Sequence, residues 1–243
     1  MNRKIIIVNG IDSENFLNQI TTNDIKNIGD GLQYNLLLSP QGKLLHDMFI
    51  LKVKQDEYWL DCHSEIVAEI VVYLVKYRLG SKVDMNISND IWVHHSIDGL
   101  QDPRHIKLPL RKYSNQPSHS TEDDTEIYYE LCLPRLYIDF HSGQYFPFEL
   151  GFDHFNGISY GKGCYIGQEV ITRTHHRGVI RKKVYKIISE GELLKDSDIY
   201  DGQQKIGRML GIYGNGKGLA LLNSKLIGDD LSLSNQTKVK VIV

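Results

Sequence analysis

Gly157-Ile158-Ser159-Tyr160-Gly161-Lys162-Gly163-Cys164-Tyr165-Ile166-Gly167-Gln168-Glu169 is the stretch from which the rest of the chain is best read. Gly161, Gly163 and Gly167 flank one cysteine just ahead of a helical pattern over Gln168–His175. Glycine lets a backbone turn sharply or approach a ligand closely. A cysteine near a helix N-terminus, two residues from Lys162, is placed to lose its proton, because the helix dipole and the cation both favour thiolate. The same residue also reads as a small buried hydrophobe, since the dipole argument rests on an inferred helix.

Upstream, the pattern mixes hairpins with helices. Lys4–Val8 reads as a strand ending at Asn9-Gly10, and Asp12 or Ser13 caps a short helix over Glu14–Ile20. Tyr34–Leu38 and Lys43–Val53 flank the tight turn Ser39-Pro40-Gln41-Gly42 and form a hairpin. Tyr58–Cys62 is another strand. Ser64 is read as the cap of a helix whose apolar stripe runs through Ile66, Ile70, Tyr73, Leu74 and Tyr77, ending at Gly80. Lys82–Ile87 and Ile91–His95 follow as strands. Residues 111–125 read as a surface loop, and Glu126–Cys132 as a helix stopped by Pro134. Gly178 closes the helix behind the cysteine. Beyond it, Arg181–Ser189, Lys205–Tyr213, Leu219–Asn223 and Thr237–Val243 are short, evenly spaced β-like runs, the pattern of a small barrel. The fold class expected is α+β, with a body over 1–178 and a C-terminal β-barrel domain over 179–243.

Composition narrows the function. The 243 residues are 41% apolar and 24% charged, which excludes a disordered or collagen-like chain. Lys and Arg number 28 against 30 Asp and Glu, so a net charge of −2 argues against a whole-chain nucleic-acid binder. Cys62, Cys132 and Cys164 lie far apart, without the spacing of a disulfide framework or a self-contained metal site. A reducing compartment fits best, and the expected location is cytoplasmic. No membrane-spanning run is present, and Ile5–Val8 is too short for a signal-peptide core, so no removable leader and no membrane partner are expected.

Lys162-Gly163-Cys164-Tyr165-Ile166-Gly167-Gln168-Glu169 resembles the signature of the YgfZ family, folate-binding-type proteins related to the glycine-cleavage T-protein, or aminomethyltransferase. Thr174-His175-His176-Arg177-Gly178 is similar to the end of that signature's helix, which adds Arg173 and Arg177 to the motif residues. Phe16–Ile25, Ser39-Pro40-Gln41-Gly42-Lys43, Lys76–Val83 and Asp102-Pro103-Arg104 resemble the family's upstream blocks in the same order. The resemblance implies a T-protein-like α+β body with a C-terminal barrel and a role in iron–sulfur cluster assembly or repair. It implies as partners A-type carrier proteins and [4Fe–4S] client enzymes, with a shared Fe–S cluster to which Cys164 gives one ligand. This describes a binding and transfer factor rather than a classical enzyme.

The resemblance further implies tetrahydrofolate or another folate as cofactor. A carboxylate accepts the paired donors of a pterin ring. Glu149, within Phe146-Pro147-Phe148-Glu149, and Asp47, on the hairpin, are the candidates, expected to face one cavity. Trp59 and Trp92 fall outside the blocks where bacterial relatives carry stacking tryptophans, so Tyr128 or Tyr129 is the candidate aromatic platform.

His175 and His176, with Arg173, Arg177, Arg181, Lys182 and Lys183, make a basic cluster. It reads as a helix C-terminus that welcomes cations, as an anion site for a folate tail, or as a docking patch for an acidic partner. The alternative function is aminomethyl transfer itself. T-proteins are longer, lack the cysteine signature, and carry an Asp at a place that falls near Ala68 here.

Overall fold

The computed structural model describes residues 2–117 and 125–242. The chain forms two units, Met1–Glu122 with Asp153–Val170, and Asp123–Phe152 with Ile171–Val243. This division differs from a single boundary at Gly178, because the chain leaves the first unit, returns to it with the cysteine segment, and leaves again within one helix.

In the first unit, β1 (Arg3–Asn9), α1 (Ser13–Ile20), β2 (Leu32–Leu38), β3 (Leu44–Lys54), β4 (Glu57–His63), α2 (Val67–Tyr77) and β5 (Asp84–Ile87) follow in order. The strands form an antiparallel sheet in the order β2-β3-β4-β1-β5. A hairpin of β6 (Trp92–Ser96) and β7 (Leu110–Ser114) completes the unit. Period-two alternation sorts the sheet residues onto two faces. Ile6, Val8, Met48, Ile50, Tyr58, Leu60 and Cys62 point to one face, where Phe16, Leu17 and Ile20 of α1 and Ile70 and Leu74 of α2 cover them.

The opposite face is built around charge. Register aligns Tyr34, Phe49, Asp61 and Ile5 in one row across β2, β3, β4 and β1. Asp61, only 1% exposed, accepts from Arg3 Nε at 2.5 Å, Arg111 Nη1 at 3.1 Å and the Tyr113 hydroxyl at 3.1 Å. Arg111 also donates to Asp102, which Arg104 grips with Nε at 3.0 Å and Nη2 at 2.7 Å. The Arg111 guanidinium lies 3.7 Å from the centroid of the Phe49 ring. Buried charges persist only when paired and hydrogen-bonded.

Two local expectations in this unit change. Ser64 does not cap α2: it begins a short 3₁₀ turn and its hydroxyl meets Asn2, while α2 starts at Val67 without a side-chain cap. The stretch read as a loop over 111–125 begins with the end of β7, whose inward residue is Arg111, a charge that no apolar pattern reveals. Residues 118–124 of that stretch lie outside those described.

In the second unit, α3 (Thr125–Glu130) ends before Cys132, which takes a left-handed φ of 55° instead of continuing the helix. α4 (Gln168–Arg177) then leads to β8 (Lys182–Ile188), β9 (Asp198–Asp201), β10 (Gln204–Ile212), β11 (Lys217–Asn223), β12 (Leu231–Leu233) and β13 (Lys240–Ile242). These six form one sheet in the order β12-β9-β10-β11-β8-β13. It curls as a half-barrel: Leu231 and Leu233 of one edge strand bond Val239 and Thr237, just ahead of the other edge strand. Ile187, Ile199, Met209, Ala220 and Leu222 fill its core. β9 and β12 are too short and polar to stand out in the sequence.

Burial alone would raise the Asp102 carboxyl, but Arg104 and Arg111 outweigh it and hold the group well below the usual carboxylate range. Its stabilisation is therefore complete above the unfolded-state value of about 4 and declines as pH falls below it. Asp102→Asn should cost about 3 kcal/mol in urea denaturation at neutral pH. The variant should also show a shallower loss of stability on acidification than the parent. Equal slopes for the two proteins would contradict this account.

Candidate functional site: an anchored cysteine turn

The turn that carries Cys164 is held to the end of α1. Helix ends leave carbonyls without intrahelical partners. After α1, a stretch rich in Thr and Asn breaks the helix, and the carbonyls of Asn18, Thr21 and Asn23 converge. Lys162 Nζ donates to all three at 2.7 Å each. The side chain is buried, and burial draws its pKa down to about 8. Three charge-assisted hydrogen bonds at a helix C-terminus nonetheless favour the ammonium at neutral pH. The Tyr165 ring, itself buried, lies with its centroid 5.1 Å from the same nitrogen.

Other segments close around this anchor. Thr22 Oγ1 donates to Gly157 O at 2.6 Å and accepts from Leu36 N at 2.9 Å, while Ser159 N donates to Thr22 O at 3.0 Å. Asn23 Nδ2 reaches Asn156 O at 2.7 Å, and Asn156 Nδ2 reaches Pro103 O at 2.7 Å. Two glycines allow the final contact. Gly167 has φ +80°, and a Cβ there would lie 2.6 Å from Ser39 O. Gly42, with φ +82°, packs against it, its would-be Cβ 3.0 Å from Val170 Cβ. Blocks that lie far apart in sequence therefore meet here for one reason: each supplies backbone or a missing side chain to seat the turn.

Cys164 is exposed, whereas Cys62 is buried and Cys132 half-buried. Burial pushes the Cys62 thiol far up and the Cys132 thiol to about 11. Cys164 does not begin the helix as expected; α4 starts four residues later, at Gln168, whose N–H bonds Tyr165 O. Lys162 anchors the turn instead of standing free beside the thiol. Gly163 and Gly161 have open space where a Cβ would be, so of the glycines around the cysteine it is Gly167 that sterics require. Glu169 is exposed in the first turn of α4, and Arg173 and Arg177 are exposed further along it.

The expected folate contacts lie in different units. Asp47, in the first, is 8% exposed and accepts from the Tyr34 hydroxyl at 2.9 Å. Glu149, in the second, accepts from Phe146 N at 2.9 Å and so caps its own 3₁₀ turn, Pro147–Glu149. Tyr128 is buried, with the Arg135 guanidinium 5.1 Å from its ring centroid. Sequence reasoning missed the carbonyl collar of Asn18, Thr21 and Asn23. The available signal was the unbroken polar run Thr21–Asp24 at a helix exit.

Comparison with known proteins defines first a class. Residues 3–101 match the family model described as the GCVT N-terminal domain. The whole fold superposes on the glycine cleavage system aminomethyltransferase T from Bartonella henselae with a TM-score of 0.74, covering 99% of this chain and 82% of that one at 11% identity. That likeness establishes the aminomethyltransferase T fold, in which α and β elements mix as the sequence implied.

Within that fold, the chain is related to proteins named iron-sulfur cluster assembly factor IBA57, mitochondrial. It is 25% identical to the one from Mus musculus over 99% of this chain and 81% of that protein. It is also 25% identical to the one from Homo sapiens, over 95% and 78%. The homolog from Mycosarcoma maydis is 28% identical over 75% of this chain, which spans about half of that protein, 54%.

Two substitutions separate anchoring from mere proximity. Lys162→Met removes the lysine donor from one buried and two part-buried carbonyls and should lower stability by about 2–4 kcal/mol. Gly167→Ala should be strongly destabilising, while Gly163→Ala should be nearly neutral, as read by thermal denaturation. Equal effects of the two alanines would refute the packing described.

Proposed function

We propose that this chain serves iron–sulfur cluster assembly, with Cys164 supplying one thiolate ligand to a cluster shared with a partner protein. The observation that carries the reading is a single exposed thiol on a turn locked by Lys162, in a chain whose other two cysteines burial keeps protonated. The names of the related proteins support it. One thiolate does not hold a cluster alone, since clusters normally take four cysteine ligands. Among the described residues no group of three or more His, Cys, Asp or Glu side chains is placed to hold a metal ion. In this reading a partner protein supplies the remaining ligands. As the iron–thiolate bond forms, the thiol proton passes to solvent. The cluster is cargo, received from or delivered to an A-type carrier or a [4Fe–4S] client enzyme.

This is a YgfZ-like role, set in a reducing compartment such as the cytoplasm. Among the described residues no helix is long and apolar enough to cross a membrane. Aminomethyl transfer has less support. The place where T-proteins carry an activating Asp falls near Ala68, exposed on α2, and the neighbouring Glu65 and Glu69 fit a helical face just as well. Folate binding is part of the proposal only as binding, and no step passes through it. Asp47 and Glu149 each have one carboxylate oxygen engaged, by the Tyr34 hydroxyl and by Phe146 N. Both stay candidates for a pterin.

Reconstitution with iron and sulfide, with and without an A-type carrier, tests the central claim by absorbance. The parent protein should develop cluster absorption only with the carrier, and Cys164→Ser should fold normally but fail. Serine keeps the shape and is a poor ligand for soft metal sites. Full rescue of [4Fe–4S] enzyme activity by the serine variant in a null strain would overturn the assignment. Tetrahydrofolate titration should give binding that Glu149→Gln weakens; no binding at millimolar folate would remove the cofactor.

A further inference from the structure

The second unit carries an unbalanced charge surface that the proposed cluster chemistry does not use. Between Glu169 and Glu190 there is no acidic residue, while Arg173, Arg177, Arg181, Lys182, Lys183 and Lys186 all fall there. A helix C-terminus accounts for cations in its last turn. It does not account for Arg181, Lys182 and Lys183, which lie beyond α4 at the start of β8.

Several exposed cations elsewhere in the unit are paired, while Lys195, Lys225 and Lys240 stand singly without a carboxylate among the described residues. Lys205 and Arg208 pair with Asp198, Lys217 with Glu126, and Lys238 with Asp230. Arg173, Arg177, Arg181, Lys182 and Lys183 are exposed and have no carboxylate partner among the described residues. Lys186 is the exception within the run, approaching Glu130 at 3.9 Å. At the middle of the unpaired group, on the connection from α4 to β8, Val179 is 71% exposed. An exposed apolar side chain within a run of cations fits a protein–protein interface, which joins an apolar core to a polar rim. Nucleic acid or a lipid headgroup would be met by the cations and gain little from the valine.

We infer that this surface docks an acidic face of a partner protein, with the five cations steering the approach and Val179 entering an apolar recess at its centre. The inference stands whether or not Cys164 ligates a cluster. Opposed charge would speed encounter and fix orientation, and the buried valine would slow release.

The test uses the full chain and a synthetic Asp/Glu-rich peptide carrying one central leucine, followed by NMR shifts and fluorescence anisotropy. Comparison probes are the same peptide without leucine, a single-stranded RNA oligonucleotide and vesicles of anionic lipid. The leucine peptide should bind most tightly, shift amides of residues 173–183, and weaken as salt rises through about 0.15 M. The charge reversal R181E/K182E/K183E should weaken it about tenfold or more. R173Q/R177Q on the helix should weaken it as an independent variant, with unchanged circular dichroism in both. Val179→Ser should weaken the leucine peptide and leave the leucine-free one unaffected. Equal or tighter binding of RNA, vesicles or the leucine-free peptide overturns the inference. So does an undiminished affinity in the charge variants, or the absence of binding by any probe.

Discussion

One ammonium group organises the candidate site. Lys162 meets three carbonyls at the frayed end of α1, and the bonds gain strength because the ammonium and the Thr21 carbonyl are buried and the other two partly so. An unmet carbonyl in such a place costs as much as a lost hydrogen bond. The lysine therefore converts the irregular exit of a helix into a socket for a loop that arrives from almost one hundred and forty residues later in the chain. With Tyr165 beneath the amine and Gly167 pressed on the hairpin turn, the segment between them has little freedom. Cys164 lies in that segment and faces solvent.

The sheet that supports this socket is held by charge on one face and by apolar packing on the other. Asp61 and Asp102 are balanced by Arg3, Arg104 and Arg111 in a buried or nearly buried cluster. Such networks seldom add much net stability over an apolar core. Their geometry is nonetheless demanding, because each lone pair and each N–H needs a partner. Here that demand ties the N-terminal strand, the β6–β7 hairpin and the Asp102–Arg104 turn to the same row of residues across the sheet. Pro103 of that turn accepts the hydrogen bond from Asn156, so the ion network and the cysteine turn share a support.

An exposed thiol held in this way suits transient ligation better than redox pairing or acid–base catalysis. A partner can reach it, it has no second cysteine beside it, and its loop is fixed before the partner arrives. Preorganisation of this kind reduces the ordering cost of an encounter. The fold is that of aminomethyltransferase T, yet fold alone does not carry chemistry. What distinguishes this chain is the local arrangement of Lys162, Cys164, Tyr165 and Gly167.

Much of this was legible in the residues themselves. Alternation and helical spacing located β1 to β6, α1 and α2 to within about two residues, because those patterns follow from pleat and pitch, whereas β7 was read as loop. Gly42 and Gly167 were legible as special positions, and Lys162 to Glu169 as a coherent motif. The roles within the motif were not. Sequence placed a cation two residues from a thiol, whereas the fold turns that cation inward onto carbonyls. Asp47 and Glu149 read as candidate pterin-facing acids, and only the fold shows their neighbours, the Tyr34 hydroxyl and the Phe146 amide. Arg111 and Asp61 left no pattern at all, since a buried ion pair has no periodicity. Short-range order is written in local residue types, so the sequence by itself determined the elements and the motif. Which polar groups meet depends on chain segments far apart in sequence, and that was decided by the tertiary structure alone.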